Sequence, residues 1–262
     1  MELNNNKNTL RPLKIKNDEL IRLGTYGDGG YIVSKSAIEI ADALISIGIK
    51  DDWNFESDFL KLNKKSTLIA LDLVVDTIFF LKCSIKSFFN LKFNKGFFYF
   101  LIIIKFILFF RLNKNIKYIK KGVSGSKLGF HSLSEIIDKL DISKNKIILK
   151  IDIEGDEYSL IDDFVNYQKR IHMICIEFHN VVSDNNTFMN FLNKLSQYYS
   201  IVHIHMNNNS TFSKSLNVAD VIEITFANKL FFELEKSDVP FIGPTNLDYP
   251  CNSIVDEISF ML

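Results

Sequence analysis

Residues 146–157 read KIILKIDIEGDE, an apolar run that ends in four carboxylates within six residues. An isoleucine-rich stretch of this kind is the pattern of a strand buried on both faces of a parallel sheet, here Lys146–Ile153. Open parallel sheets collect ligands at the carboxyl ends of their strands. The acids therefore stand where chemistry is expected, and this one stretch sets both fold class and site. In an extended strand Asp152 and Glu154 share a face about 6.6 Å apart, with Lys150 pointing the same way. Asp156 and Glu157 are read as first-turn acids of a following helix, expected over about 156–168.

The same rhythm continues on either side. Ala43–Ile49 and Thr67–Leu73 read as buried strands separated by a helix over about 54–62, and Asn115–Val123 as a weaker strand alternating apolar residues with lysine. Ser132 with Glu135 three residues on forms a capping box opening SLSEIIDKL. His172–Phe178 is another strong strand; Ile201–Met206 and Val221–Ala227 are late strands, where doubly wound sheets often turn antiparallel. The expected fold is α/β, with strands and helices alternating in one domain over 1–262. Pro240, Pro244 and Pro250 mark an irregular tail.

Composition excludes several classes. With 262 residues, 47% apolar and 24% charged, 11 Gly, 4 Pro and 3 Cys, the chain is neither collagen-like, disordered nor a disulfide scaffold. Cys83, Cys175 and Cys251 are far apart and lack metal-ligand spacing, which fits a reducing cytosol. The start, MELNNNKNTLRPLK, is polar, so no secretory signal is expected.

A net charge of zero hides an asymmetry. From Thr77 to Ser134 there are ten Lys and one Arg but no Asp or Glu, leaving the remainder about eleven units negative. Such a block is either a face that meets an anion (phosphate, nucleotide or lipid headgroup) or a solvated cationic insertion. Within it, 78–112 holds eleven of the 24 Phe, and 97–110 reads FFYFLIIIKFILFF. Fourteen helical residues span about 21 Å, short of a ~30 Å hydrocarbon core, and Lys105 interrupts them, so a transmembrane helix is not expected. Three readings stay open: a buried helical insertion, a homodimer interface, or a surface that docks on a bilayer. Nucleic acid is not an expected partner, because no basic stripe with interleaved aromatics lies outside this insertion.

The other strand exits carry candidate residues. The first leaves through Ser46-Ile-Gly48-Ile-Lys50-Asp51-Asp52, where a glycine lets a ligand approach the backbone and the next helix offers N–H groups. The second leaves through Asp72, whose carboxylate can accept hydrogen bonds from vicinal ribose hydroxyls. Glu177 and His179, two apart, end the fifth. If the fourth and fifth strands are neighbours, three carboxylates and an imidazole converge at one rim. Clustered carboxylates repel one another, so a fold keeps them where a metal, a proton or a substrate hydroxyl uses them. Asp152, Glu177 and His179 form an oxygen-plus-imidazole set suited to Mg²⁺ or Mn²⁺. The loop Tyr26-Gly27-Asp28-Gly29-Gly30-Tyr31 is either a turn or a ligand clamp over the sheet edge. It lacks the G-x-G-x-x-G spacing of a dinucleotide fingerprint.

Taken in order, YGDGGYIV (26–33), SIGIKDDWNFE (46–56), ALDL (70–73), LKIDIEGDEY (149–158), IEFH (176–179) and HIHMNNNST…DVIEITF (203–226) resemble the FkbM-type methyltransferases. The resemblance spans about residues 20–230, interrupted by the insertion. It implies a seven-stranded Rossmann-like class I methyltransferase sheet, S-adenosylmethionine as cofactor, and O-methylation of a sugar hydroxyl. The chain is similar to members from capsule and surface-polysaccharide clusters, some acting on nucleotide-activated sugars, heptoses included; this implies a cytoplasmic enzyme, at the inner face of the membrane if the insertion docks there.

By the same resemblance, Ser46 and Gly48 line the methionine and ribose side, and Asp72 holds the ribose hydroxyls. Gly27, Asp28, Gly29, Gly30, Tyr31 and Glu56 border the same ligand. Asp152 and Glu154 stand between cofactor and acceptor, with Glu177 and His179 on the acceptor side. Lys50-Asp51-Asp52 departs from the family's usual second small residue, and the insertion leaves the adenine pocket without assigned residues. The acceptor hydroxyl must lose a proton, so it is either deprotonated by His179 or coordinated by a divalent cation on Asp152, Glu177 and His179. Two other functions compete: a glycosyltransferase using Asp152-Ile-Glu154 as an Asp-x-Asp-like metal clamp, and a non-enzymatic membrane-surface scaffold built on the insertion.

Overall fold

Seven strands form the central sheet: β1 (Ala43–Ile47), β2 (Thr67–Asp72), β3 (Ile116–Lys120), β4 (Ile147–Ile151), β5 (Ile171–Phe178), β6 (Tyr199–Met206) and β7 (Ile222–Asn228). They are taken from a computed structural model that describes residues 9–141 and 145–262; most of the polar start, expected to carry no secretory signal, lies outside the described residues. The spatial order is β3-β2-β1-β4-β5-β7-β6. All neighbours are parallel except β7, which runs antiparallel to both β5 and β6. This is the Rossmann-like sheet of class I methyltransferases, with the late reversal expected from the strand pattern.

Strand alternation sorts the core into two layers. Ile45, Ile47, Leu149, Ile151, Ile174, Ile176 and Ile224 face one side, under α5 (Leu133–Asp138), α6 (Ile161–Asn166) and α7 (Asn185–Leu195). Leu44, Leu68, Ile148, Met173 and Cys175 face the other, under α1 (Lys35–Ile40), α2 (Asn54–Leu62) and the antiparallel pair Leu20–Leu23 and Tyr31–Ser34. Burial on both faces explains why these strands read as continuous apolar runs. The cap at Ser132 forms as expected: its hydroxyl accepts the Glu135 N–H at 3.1 Å.

Two local expectations are corrected. The helix expected over 156–168 is a 3₁₀ turn, Glu157–Leu160, followed by the short α6. Glu157 keeps its expected first-turn place, in that 3₁₀ turn, but it is fully buried, and its Oε1 accepts the Gly155 N–H at 2.9 Å. The alternation of Asp152 with Glu154 also fails, because β4 stops at Ile151 and the chain turns through positive φ at Glu154 (56°) and Gly155 (101°).

The insertion is a helical hairpin, α3 (Thr77–Phe89) and α4 (Phe93–Phe106), with α4 continued by a π-helical turn, Ile107–Arg111. Its inner face is anchored. Phe106 and Phe110 pack against Trp53 and Tyr118 at centroid distances of 4.9–5.8 Å, and the Ser84 hydroxyl donates to the Gly96 carbonyl at 2.8 Å. The outer face is bare. Fifteen large apolar side chains between Ile78 and Leu112 are exposed, so the buried-insertion reading does not hold.

Candidate active site

The exits of β1, β2 and β4 frame a cavity of about 480 Å³, with Lys121, Gly122 and Val123 after β3 closing the far side. It lies where the crossovers on either side of β1 diverge, the place where open α/β sheets bind ligands, and its volume is that of a small-molecule site. Gly48, at the β1 exit, has φ +79°, and a Cβ there would lie 1.7 Å from the Asp152 carbonyl oxygen. The glycine is therefore demanded by the close approach of β1 and β4.

Asp72 ends β2 facing the cavity. Its Oδ1 accepts the N–H groups of Val74 (2.7 Å) and Val75 (2.8 Å), and its Oδ2 accepts the Lys50 N–H at 2.9 Å. Three backbone donors use three of a carboxylate's roughly four acceptor sites, leaving about one for a ligand hydroxyl. Beside it Leu73, Val74, Val75, Phe79, Tyr99 and Phe130 make an apolar slot. Phe79 and Tyr99 come from the insertion, and no sequence signal connected them with the site.

Ser46, Glu56 and Tyr31 do not line this cavity. Ser46 is paired in register with Lys150, on the sheet face covered by α2 and the 20–34 strands. Its hydroxyl donates to Glu56, and the Lys150 ammonium sits 5.4 Å over the Tyr31 ring. Burial raises the Glu56 carboxyl above its usual range, while the Lys150 charge pulls it back. These residues form a buried polar layer supporting β1 and β4.

The glycine loop roofs a different part of the sheet edge. The Arg22 guanidinium donates to the carbonyls of Thr25 (2.9 Å) and Gly27 (2.7 Å), and a Cβ on Gly30 would strike both Arg22 and the Thr25 carbonyl. The loop, closed on Arg22, holds the Asp28 carboxylate within 4.8 Å of those of Glu177 and Glu223. Gly27, Asp28, Gly29 and Gly30 thus lie over an acidic row, outside the cavity lining.

That row is produced by strand register. Glu177 on β5 is opposite Glu223 on β7, which is opposite His205 on β6. Donor atoms of Asp152, Glu177 and His179 lie within 4.8 Å of one another, so the expected convergence is present. Glu154 joins through Lys50, whose ammonium is 3.2 Å from Asp152 Oδ2 and paired with the Glu154 carboxylate. Lys50, at the β1 exit, is the tie between these two acids.

Electrostatics separate the roles. His179 sits between Glu157 (Nδ1 to Oε1, 3.0 Å) and Glu154 (Nε2 to Oε2, 3.3 Å). Burial disfavours its charged form, but the hydrogen bond and charge of Glu157, with Glu177 and Asp152, raise its pKa to about 9. It rests as a cation with both nitrogens engaged, which does not suit a resting general base. Burial, then the charges of Asp152 and Glu223, raise Glu177 to about 8, and Asn207 donates to it at 2.9 Å. Asp152 is buried, and its Oδ1 has no hydrogen-bond partner among the described residues. Asp152, Glu177 and His179 match a hard divalent cation by donor type and by that uncommitted oxygen, but to hold one His179 and Glu177 must first give up their protons and the exposed Glu154 side chain must turn from His179.

Several neighbours escaped sequence reasoning. His205 donates through Nδ1 to Glu223 (3.0 Å) and lies 3.3 Å from Glu257. Cys251, also from the tail, approaches Glu223 at 3.7 Å, and burial followed by the Glu223 charge pushes its thiol well up. A polar residue inside an apolar strand is the only signal Glu223 and His205 offered, and their register was needed to interpret it.

No protein-family model matches the chain, and no curated protein matches it in sequence. Solved structures give distant likenesses. A dimethyladenosine transferase from Plasmodium falciparum is 9% identical with a TM-score of 0.38, over 75% of this chain and 62% of that one. A precorrin-6y C5,15-methyltransferase from Geobacter metallireducens is 11% identical (TM-score 0.38; 74% and 84% covered). A fibrillarin pre-rRNA processing protein from Methanococcus jannaschii is 10% identical (TM-score 0.40; 82% and 84% covered). On the strand order 3-2-1-4-5-7-6 with only the seventh strand reversed, the chain has the fold of the S-adenosylmethionine-dependent class I methyltransferases.

Proposed function

We propose that the protein is an S-adenosylmethionine-dependent O-methyltransferase acting on a sugar hydroxyl, with a nucleotide-activated, heptose-like sugar for capsule or surface polysaccharide as acceptor. The observation that carries the mechanism is Asp152. It lines the cavity, belongs to the acidic row, and holds one buried oxygen without a partner. The cofactor, when bound, supplies the methyl group. Asp72 holds a ribose hydroxyl, and the slot formed by Leu73–Val75, Phe79, Tyr99 and Phe130 suits adenine.

A sugar hydroxyl is a poor nucleophile until its proton leaves. Asp152 Oδ1 is placed to take that proton, while Glu177, protonated near neutral pH, donates to the acceptor. Lys50 and the His179 cation hold the side chains of Asp152, Glu154 and Glu157 in place. Lys121 and Lys127 on the cavity wall suit the phosphates of a nucleotide-linked acceptor. In the alternative form, with Glu177 and His179 deprotonated, a divalent cation on Asp152, Glu177 and His179 would polarise the same hydroxyl. Nothing favours the Asp-x-Asp clamp of a glycosyltransferase, because the Lys50 ammonium stands between Asp152 and Glu154 where its metal would be. We place the activity in the cytoplasm, where free cysteines stay reduced.

The test combines methyl-labelled cofactor with a panel of nucleotide sugars, with and without chelator. Label on the sugar supports the reading, and Asp152→Asn should keep S-adenosylhomocysteine binding while losing turnover. A ligand at 100 times its Kd stabilises by about 2.7 kcal/mol. No thermal shift with millimolar S-adenosylhomocysteine would reject the cofactor, and sugar release without methylation would reject the reaction. An unaffected rate in chelator would remove the metal and leave the base.

A further inference from the structure

We propose that the α3–α4 hairpin docks on an anionic lipid bilayer, lying in its interface with the apolar outer face down. This inference is independent of the activity proposed above. Helix Phe93–Arg111 is 19 residues long; its most apolar 18-residue window has a mean hydropathy of 1.8, yet only 22% of that window is buried. Along α4 the exposed residues Phe93, Phe97, Leu101, Ile104 and Leu108 recur at helical spacing, which makes one continuous apolar face. The turn between the helices extends it, with Phe89 85% and Leu91 76% exposed. Monomeric soluble proteins rarely leave so large an apolar surface uncovered.

Charge identifies the occupant. The hairpin carries lysines and an arginine but no acid, and Lys82 and Lys86, one turn apart, are exposed beside Leu81 and Ile85 on α3. A two-fold dimer would bring the same patch against itself and so oppose cation to cation. A bilayer with anionic headgroups complements both features, since lysine stems lie along apolar surface while their ammonium groups reach phosphate. The arrangement is peripheral. Helix Phe93–Arg111 is about 28 Å long, enough to span, but Ile102, Phe106 and Phe110 are committed to the protein core.

Flotation of the full-length protein with vesicles of phosphatidylcholine, with and without phosphatidylglycerol, tests this. The expected result is co-flotation with the anionic vesicles, at least tenfold weaker binding to the neutral ones, and loss at high salt. Phe89→Ser with Phe93→Ser, both at exposed positions away from the cavity, should weaken binding tenfold or more. Circular dichroism checks that this variant keeps its fold. Equal binding to neutral vesicles, no binding at all, or full binding by the folded variant would overturn the proposal. So would a stable dimer that ignores vesicles and is broken by the variant.

Discussion

Replacing Gly48 by alanine tests the junction on which the site is built. A non-glycine residue at φ +79° costs about 1–2 kcal/mol. The new Cβ would lie 1.7 Å from the Asp152 carbonyl oxygen and 2.8 Å from its carbonyl carbon, backbone atoms that cannot rotate aside. The β1–β4 separation must widen by more than 1 Å to reach the 3.0 Å below which real Cβ contacts are essentially never found. Overpacking of that kind costs about 1–3 kcal/mol, so the total is about 2–5 kcal/mol. In a domain of this size that lowers Tm by roughly 4–20 °C. Gly129→Ala is the control: Gly129 has φ +85° with nothing within 4 Å, so only the conformational cost applies, roughly 2–8 °C. Thermal melts of both variants decide the matter. Gly48→Ala should also lower turnover about 100-fold, because the Asp152 backbone moves and displacements near 1 Å are that costly. A Gly48→Ala protein that melts no lower than Gly129→Ala would refute the junction.

Asp72→Asn should weaken S-adenosylhomocysteine binding by roughly 10–100-fold in calorimetry, the worth of a charge-assisted hydrogen bond; unchanged affinity would take Asp72 out of the ligand site. His205 titrates at 6.5 when unperturbed and at about 9 in the fold: burial opposes its charge, but the hydrogen bond and charge of Glu223, with Asp248 and Glu257, outweigh it. Its folded pKa is raised, so its contribution, about 3 kcal/mol, is fully present below pH 6.5 and disappears as pH rises through 9. His179 titrates over the same window with the same sign, so the His205 share is read by difference: His205→Gln should reduce the fall in Tm by roughly 6–12 °C, and a variant with the wild-type slope would contradict the pairing. His179→Gln should retain S-adenosylhomocysteine affinity and lose turnover more than tenfold, since the cation orders Glu154 and Glu157; a rate within a few-fold of wild type would remove His179 from the site.

The legible part of the site is the part written in strand ends. Asp72, Asp152, Glu177 and His179 each close an apolar run, and that pattern alone brought them to one edge. Glu157 stands in the first turn as its acidic neighbours suggest, but its burial was not legible, because its partner, His179, comes from beyond another strand. Ser46 and Glu56 belong to a motif whose outward look suggests ligand contact, yet register with Lys150 turns them to the covered face.

Hydrophobic periodicity and turn residues determined the strands, most of the helices and the parallel sheet, because burial on two faces demands continuous apolar runs wherever a strand is central. Tertiary structure decided what no local pattern encodes. It set Glu223 and His205 beside Glu177 through antiparallel register, the protonation of His179 through two distant carboxylates, and the exposure of an insertion whose composition suited a buried helix equally well. The physical reason is common to all three: side-chain environment depends on neighbours far away in sequence, and charge, burial and pairing are properties of that environment.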